Sequence, residues 1–415
     1  MHRVLRLAVS LAAASAISAP VRAQTSDVSE EAPGDRSPGS GESDHRLGEI
    51  VVTGARTEIP LKESPSATSV VDQDALSAMP RAVGAEEALR LVPGVKVDNQ
   101  ADGERVHLSI RGIGLLTERG IRGIKVLVDG IPLNDPTGFA PDLFDIDWSN
   151  VERIEVLRGP ASALYGGASA GGIINIITKD GAEDAIGGDG SLTTGAYDFW
   201  KGHVGAGGTS GSVNYHVAAS RSYGNGYRTH TAFNATNGYA KARWNIDDRI
   251  RLTAVAAGTD FFNENAEGLN RAWLAADRRQ ANPDALTYNE YQRTRRVTAG
   301  LVGRVGLDDQ QDVTFGLHYR HTLWRESVPS SLQYRTYRTP GGTVQYNLHL
   351  PFGWVQNHLS VGVDFGYQSI LDHSRANLGG ASAGPDLLSK ETISQTGVGA
   401  LLFDRVGLRG SQWVS

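Results

Sequence analysis

Apolar residues alternate with small or polar residues over long runs in the second half of this 415-residue chain. One run occupies residues 313–320 and another occupies residues 359–368. A period of two predicts β-strands with one apolar face, and runs of ~9 residues can cross a bilayer at a tilt. The pattern favours an antiparallel transmembrane β-barrel and leaves a soluble secreted β-sandwich as the alternative.

The segments between these runs also suit a barrel. Short turns are predicted at Asp247-Asp248 and at Pro340-Gly341-Gly342, and a long polar loop is predicted from Asn263 to Tyr291. Aromatic residues such as Trp324 and Trp354 lie near the ends of runs, as girdle residues of a membrane barrel do. Short turns at one end of the sheet and long loops at the other are typical of outer-membrane barrels.

Composition excludes several classes of protein. The net charge of −6 is not the basic balance that would point to nucleic acid. The absence of cysteine excludes disulfides, thiolate metal sites and cysteine nucleophiles. Beyond the N-terminus there is no apolar run of about 18 residues, so helical membrane spans are not expected.

The N-terminus has the pattern of a secretory signal. Arg3 and Arg6 precede an apolar stretch from Leu7 to Ala19, and Val21-Arg22-Ala23 supplies a cleavage site. We expect a signal peptide at residues 1–23, against the alternative of a short buried helix. Residues 24–48 are polar and rich in serine, glycine and proline, so they are expected to form a disordered linker.

Residues 57–184 read as a compact α+β domain. A helix is predicted near residues 84–91, where Pro93-Gly94 stops it. Strands are predicted at Arg105–Arg111, Lys125–Asp129, Val151–Arg158 and Ile173–Thr178.

Six motifs follow one another in this domain. They are Val92-Pro-Gly-Val95, Leu108-Ser-Ile-Arg-Gly112, Val126-Leu-Val-Asp-Gly-Ile-Pro-Leu133, Val151-Glu-Arg-Ile-Glu-Val-Leu-Arg-Gly-Pro160, Ala163-Leu-Tyr-Gly166 and Gly171-Gly-Ile-Ile-Asn-Ile-Ile-Thr-Lys179. The series closely resembles the plug domain of TonB-dependent outer-membrane receptors, over about Thr57 to Asp180. The resemblance implies an α+β plug followed by an antiparallel transmembrane β-barrel in the outer membrane of a Gram-negative bacterium.

The segment Glu49–Arg56 resembles the TonB box of that family. Its residues Glu49, Ile50, Val51, Val52 and Thr53 are the expected contacts with TonB, because such a segment can add a strand to another protein's sheet. The alternative is an ordinary first strand of the plug.

Arg111 and Arg158 each end an apolar strand of the plug. In the family such arginines often pair with carboxylates of the barrel, so we expect a lock between plug and wall. The alternative is that both are plain surface arginines.

Two plug segments, Leu115–Arg119 and Asp135–Pro141, correspond in the family to loops that rise toward the outside. The resemblance therefore makes Leu116, Glu118, Arg119 and Phe139 candidate ligand contacts. Simple solvation of the loops is the alternative.

Signals for catalysis are weak. Residues 167–171 and 380–384 both match G-x-S-x-G, but neither has the strand, turn and helix order of a nucleophile elbow. The eleven histidines show no metal-ligand spacing. We expect no catalytic residue, no metal site, no cofactor and no enzyme activity.

The resemblance implies active import of a scarce nutrient, with a ferric siderophore as the usual cargo. TonB and its inner-membrane energising complex would displace the plug, and outer-membrane lipid would surround the wall. Haem, cobalamin, another metal complex or a glycan are alternative cargoes. A signalling receptor is not expected, because residues 24–48 are too short for a further folded domain.

The barrel zone, residues 185–415, contains about eleven strand-like runs between Leu192 and Leu408. Receptors of this family use about 22 strands. We therefore expect the N-terminal half of a barrel, and we expect that these residues alone do not form a working importer.

Overall fold

The computed structural model describes residues 51–52, 59–61, 64, 66–99, 106–114, 120–140, 143–159, 161, 165, 169–184 and 186–408. The predicted signal peptide, the linker 24–48, Glu49, Ile50, Thr53, Leu116, Glu118 and Arg119 lie outside the described residues. The described residues all belong to one compact unit.

The α+β domain, residues 59–184, is built on a five-stranded sheet of order β3-β8-β9-β6-β7. Its strands are β3 (Ala67–Val71), β6 (Ile124–Val128), β7 (Ile131–Pro132), β8 (Val151–Arg158) and β9 (Gly172–Thr178). A separate pair joins β4 (Val95–Asn99) to β5 (Val106–Ile110), and another joins β1 (Val51–Val52) to β2 (Ile59–Pro60). Only β6 and β9 run parallel; every other pair in these sheets is antiparallel.

Two short helices lie between β3 and β4 of this domain. Helix α1 (Gln73–Ser77) begins after Asp72, whose carboxylate accepts the N–H of Ala75 at 3.0 Å. Helix α2 (Ala85–Leu89) lies within the predicted helix at residues 84–91. The core of the domain gathers apolar side chains from the sheet and both helices around Trp148, which is 1% exposed.

The second part of the chain is a ten-stranded antiparallel sheet, called the wall here, in which each strand pairs with the next one along the chain. Its strands are β10 (Gly187–Gly195), β11 (Phe199–Ser210), β12 (Val213–Gly224), β13 (Phe233–Asn245), β14 (Ile250–Glu264), β15 (Tyr291–Gly306), β16 (Gln311–Ser327), β17 (Ser331–Phe352), β18 (Val355–Asn377) and β19 (Ala383–Leu408). The count is one fewer than the eleven runs expected from the sequence.

The two faces of the wall differ as the period of two predicts. On β16, Leu317 and Leu323 lie on the outer face and are 56% and 42% exposed. Arg320 and Thr322 lie on the inner face against the α+β domain and are buried. This confirms the prediction that the alternating runs are strands with one apolar face and one polar face. The apolar face is the outer one, and the polar face is the inner one.

The loops and turns of the wall follow the sequence prediction in part. Asp247-Asp248 lies in the turn between β13 and β14, and residues 265–290 form the long loop between β14 and β15. That loop contains the short helices α3 (Arg271–Ala276) and α4 (Pro283–Tyr288).

The turn predicted at Pro340-Gly341-Gly342 is wrong, because these residues lie inside β17. Pro340 is paired with Tyr319 of β16, but the ladder with β18 passes from Arg338 directly to Gly341. Proline has no N–H to donate, so the strand continues with a gap in one ladder. A Cβ atom on residue 341 would lie 2.5 Å from Cε1 of His318, which is closer than real Cβ contacts come. Glycine at this position therefore allows the His318 ring to lie against the backbone of β17.

Among the described residues, no helix has the length and apolar character needed to span a membrane.

Candidate functional site

Asp147 of the α+β domain is held by two side chains of β11. Lys201 Nζ lies 2.7 Å from Oδ1, and His203 Nδ1 donates to Oδ2 at 2.7 Å. All three side chains are at most 6% exposed. Burial raises the pKa of the Asp147 carboxyl, but the hydrogen bond from His203 and the charge of Lys201 lower the pKa by more, so it lies well below its ordinary value.

A second contact lies where the domain leads into the wall. Lys241 Nζ on β13 is 2.8 Å from Asp180 and 3.5 Å from Asp129, and it donates to the carbonyl of Thr178. Arg243 also pairs with Asp180, at 2.7 Å. Burial alone raises the pKa of Asp180, but the charges of Lys241 and Arg243 bring the pKa below its ordinary value.

A third contact joins Asp145 to Arg296 of β15, with Nη1 and Oδ2 2.6 Å apart and side chains 11% and 7% exposed. The Arg296 guanidinium also lies 5.1 Å from the ring centre of Phe144. Phe144 in turn stacks on Phe261 of β14, with ring centres 4.9 Å apart. Charge pairing and ring packing therefore fasten the same short segment to the wall.

Beside this third contact, the domain and strands β15–β18 enclose a cavity of about 140 Å³. It lies toward the strand ends that lead into the long loop 265–290, because Gln292 and Thr294 are at the start of β15. Its lining is Gly120, Leu133, Asp135, Phe139 and Phe144 of the domain, with Gln292, Thr294, Arg296, Arg320, Thr322, Trp324, Arg335, Tyr337, Thr339 and Gln368 of the wall. The lining thus combines three arginines with four aromatic rings.

The predicted lock residues lie elsewhere. Arg158 donates from Nη1 to the carbonyl of Pro93 at 2.9 Å and from Nε to the carbonyl of Ala67 at 3.3 Å, both within the domain. Arg111 is exposed and has a φ of 51°. The locking role of Arg111 and Arg158 stays a prediction, since the domain–wall ion pairs of the described residues involve other side chains.

Most of those ion pairs have the opposite polarity to the expected one, because the domain contributes the carboxylate and the wall the cation. The pair between Lys179 of the domain and Asp189 of β10, at 3.0 Å, has the expected polarity. A pattern in the sequence predicts the pairs with wall cations, although none of the expectations above used it. Lys201 and His203, like Lys241 and Arg243, are two residues apart on strands, so each pair falls on one face. A pair of cations on the inner face of a membrane-length strand needs carboxylates from whatever the sheet surrounds.

Two further predicted elements lie partly in the described residues. Val51–Val52 pairs antiparallel with Ile59–Pro60, as a two-stranded sheet separate from the main sheet. Phe139 lines the cavity, and its ring lies 5.2 Å from the Arg122 guanidinium. Contact of either element with TonB or ligand remains a prediction.

Comparison with known proteins identifies the α+β domain. Residues 60–173 match the TonB-dependent receptor plug domain. The hemin receptor of Yersinia enterocolitica is 26% identical over 359 residues, which are 75% of this chain and 50% of that protein. The rhizobactin receptor of Rhizobium meliloti is 36% identical over 172 residues, which are 39% of this chain and 21% of that protein. The chain thus spans about half the length of the hemin receptor, and less of the rhizobactin receptor.

Solved structures share the whole arrangement of domain and wall. The unliganded ferric citrate transporter FecA superposes with a TM-score of 0.69 at 23% identity, over 83% of this chain and 54% of that one. The ferric preacinetobactin receptor BauA of Acinetobacter baumannii superposes with a TM-score of 0.66 at 15% identity, over 87% and 58%. Residues 60–173 thus belong to the plug domains of TonB-dependent receptors, and the ten antiparallel strands that follow share the fold of the barrels in the solved receptors.

Proposed function

We propose that this chain serves the TonB-dependent import of a ferric siderophore across the outer membrane. The observation that carries the proposal is the seating of the plug against the inner face of the wall. Asp145 and Asp147 hold it there through buried ion pairs with Arg296, Lys201 and His203. Buried ion pairs of this kind hold the plug against the wall, and each must break when the plug is displaced.

The proposal assigns a step to each part of the chain. Residues 1–23 direct export, residues 24–48 link to the box, residues 49–56 bind TonB, residues 57–184 form the plug and residues 185–415 belong to the barrel. TonB would bind Glu49–Thr53 by adding a strand, since the main-chain groups of such a segment give affinity without a pocket. Its inner-membrane energising complex would supply the force, and outer-membrane lipid would cover the apolar outer face.

The cargo is proposed from the relatives and the similar solved structures. Names among the relatives include the rhizobactin receptor, the hemin receptor and the vitamin B12 transporter BtuB of Photobacterium profundum. The solved structures that match include receptors for ferric complexes. Haem is the second candidate, because the hemin receptor of Yersinia enterocolitica matches across both plug and wall, over 75% of this chain. We propose no catalytic activity for this chain.

Growth of a deletion strain tests the proposal. A strain without the gene is supplied with a panel of ferric siderophores, haem, cobalamin or oligosaccharides as the limiting nutrient. Loss of growth on a ferric siderophore, with loss of labelled iron uptake that also needs TonB and the proton-motive force, is expected. Normal energised uptake of every nutrient in the panel would contradict it. Loss of growth on haem alone would move the assignment to the second candidate.

A further inference from the structure

The outer face of the wall changes from apolar to basic toward the end that carries the long loop 265–290. On β16 the outward residues from Val313 to Leu323 are mostly apolar, and Arg325 is the next outward residue. The step from Val313 to Leu323 covers about 34 Å along the strand, or about 25 Å of height at a tilt of about 40°. Because the apolar band of outer-membrane barrels has this height, Arg325 lies at the level of the lipid headgroups.

The strand register places Arg325 in a row that crosses six strands of the wall. Each member is the direct cross-strand partner of the next, and we call this set the basic row. Its members are Phe262 of β14, Arg293 of β15, Arg325 of β16, Tyr334 of β17, His373 of β18 and Lys390 of β19. Directly paired residues point to the same face of a sheet, so all six side chains lie on the outer face.

The charges of the basic row are not balanced within the wall. Arg293 and Arg325 are directly opposite each other, and like charges in that arrangement destabilise a sheet. Asp260 accepts from Arg293 at 3.0 and 2.8 Å, but it also accepts from Arg295 at 3.0 Å. In the described part of the chain, no carboxylate forms an ion pair with Arg325 or Lys390. An anion from outside the wall would relieve this excess of positive charge.

Aromatic rings hold the Arg325 guanidinium in place. The guanidinium lies 5.4 Å from the ring centre of Tyr334, and this ring stacks on the His373 ring at 5.0 Å and 9°. At the other end of the row, Phe262 packs on Tyr291 with ring centres 5.5 Å apart. Such rings are typical of the aromatic girdle of a membrane barrel. Here they also limit the movement of a guanidinium, whose planar fork of donors suits a phosphate.

The opposite end of the outer face differs in charge. On β16–β19, the three outward rows that end at the basic row contain three cations and no carboxylate among the described residues. The three outward rows at the short-turn end of the same strands contain no cation and one carboxylate. Their members are Gln311, Leu348, Leu350, Phe352, Val355, Asn357, Leu359, Asp404, Val406 and Leu408. A phospholipid present in both leaflets does not account for this difference, because its phosphate lies at both levels.

We propose that the basic row binds the two phosphates of lipid A, the phosphorylated glycolipid of the outer leaflet of the outer membrane. Arg325 and Lys390 are three strand spacings apart, about 14 Å, so each can contact a different phosphate. Lipid A carries one phosphate at each end of its disaccharide, whereas phosphatidylglycerol carries a single phosphate. The apolar outer face below the row, with Leu323 and Leu371, packs against the acyl chains. This inference concerns the lipid partner of the wall and does not depend on the proposed import.

Lipid binding to the purified full chain in a nonionic detergent tests the inference. The probes are bisphosphorylated lipid A, dephosphorylated lipid A with the same acyl chains, and phosphatidylglycerol. We expect bisphosphorylated lipid A to bind at least about tenfold more tightly than either of the other two, because charged hydrogen bonds to phosphate are the strong ones. If dephosphorylated lipid A or phosphatidylglycerol binds as tightly, the inference is overturned.

Variants locate the effect in the basic row. Arg325→Gln and Lys390→Gln should each weaken the binding of bisphosphorylated lipid A about tenfold and leave the dephosphorylated form unchanged. Both side chains are exposed, so neither substitution disturbs the core. Arg249→Gln is the matched control, because Arg249 is exposed in the short turn between β13 and β14. An equal loss in Arg249→Gln, or no loss in both row variants, would contradict the site. The preference of the parent chain among the three lipids tests the inference even where a variant does not fold.

Discussion

Asp145 of the plug and Arg296 of the wall, 151 positions apart in the chain, form a buried ion pair with a separation of 2.6 Å. Removing one partner of such a pair leaves a buried charge, which costs about 3–5 kcal/mol. We expect Asp145→Asn to lower the urea concentration at which the plug becomes cleavable by protease, and we expect Arg296→Gln to act likewise. The double variant should lower this urea concentration by less than the sum of the two single changes. Lys96→Gln, which breaks the exposed pair with Asp98, is the control and should change little.

Acid should weaken the contact made by Asp147. Its carboxyl has a folded pKa below the unfolded value of about 3.9, so the stability it contributes is present above that value and is lost as the pH falls toward the folded pKa. The parent should therefore exceed Asp147→Asn in urea midpoint at neutral pH, and the difference should shrink below about pH 4. A difference that grows on acidification would have the wrong sign. Asp98→Asn, at an exposed plug position, is the control.

The TonB box is tested by proline at position 51, which removes the N–H of Val51 and fixes its φ. Val51→Pro should abolish uptake while ligand binding persists. Ile59→Pro is the matched control, because Ile59 lies in the strand that pairs with Val51–Val52 but outside the box. Uptake should survive in Ile59→Pro. An equal loss of uptake in both variants would assign the effect to the two-stranded pair. Normal uptake in Val51→Pro would contradict the assignment of the TonB box.

Arg158 is expected to stabilise the plug through its bonds to the carbonyls of Pro93 and Ala67. Arg158→Ala should cost about 1–3 kcal/mol and increase proteolysis of the plug. Under the lock hypothesis, Arg111→Ala and Arg158→Ala should also raise leakage of large antibiotics in cells that carry a complete receptor. Arg90→Ala is the control, because Arg90 is exposed at the C-cap of α2 and its Nε donates locally, to the carbonyl of Glu86. Unchanged leakage and proteolysis in both variants would leave the arginines without a locking role.

Ligand contact by the plug is tested at Phe139, whose ring lines the cavity. Phe139→Ala should weaken binding of the transported chelate about tenfold, because the lost ring surface is worth roughly 1.5 kcal/mol or more. Arg119→Ala tests the neighbouring loop in the same assay. Phe365→Ala, on the exposed outer face of β18, is the control. Unchanged affinity in both loop variants would exclude these loops as contacts.

Local patterns in the sequence predicted the elements well where burial is periodic. Strand β8 has the predicted bounds, Val151–Arg158, because its apolar residues and its neighbouring turns are both visible in the sequence. The inner and outer faces of β16 follow from the period of two. The turn predicted at Pro340 was wrong, because a proline that interrupts one of its two ladders is compatible with a strand.

The candidate site was harder to predict, because it depends on which residues face each other across the lumen. Periodicity places Arg320 and Gln368 on inner faces, yet only the register of the strands brings them to the same threonine. The plug partners of Lys201 and Arg296 lie in the segment 143–147, which the motif series passes over. The spacing of Lys201 and His203 on one strand face predicts that carboxylates lie opposite them, but it does not say which carboxylates these are.

The position of β3 decides how the plug would respond to mechanical load. This strand is the first of the plug sheet along the chain and lies at its edge, where β8 is its one neighbour among the described strands. A force that arrives from the N-terminal side meets β3 before any interior strand, and five residues pair it to the sheet. Unfolding would then begin by peeling off one border strand, while β8, β9, β6 and β7 keep their ladders. The fold thus has a mechanically weak margin beside a resistant centre.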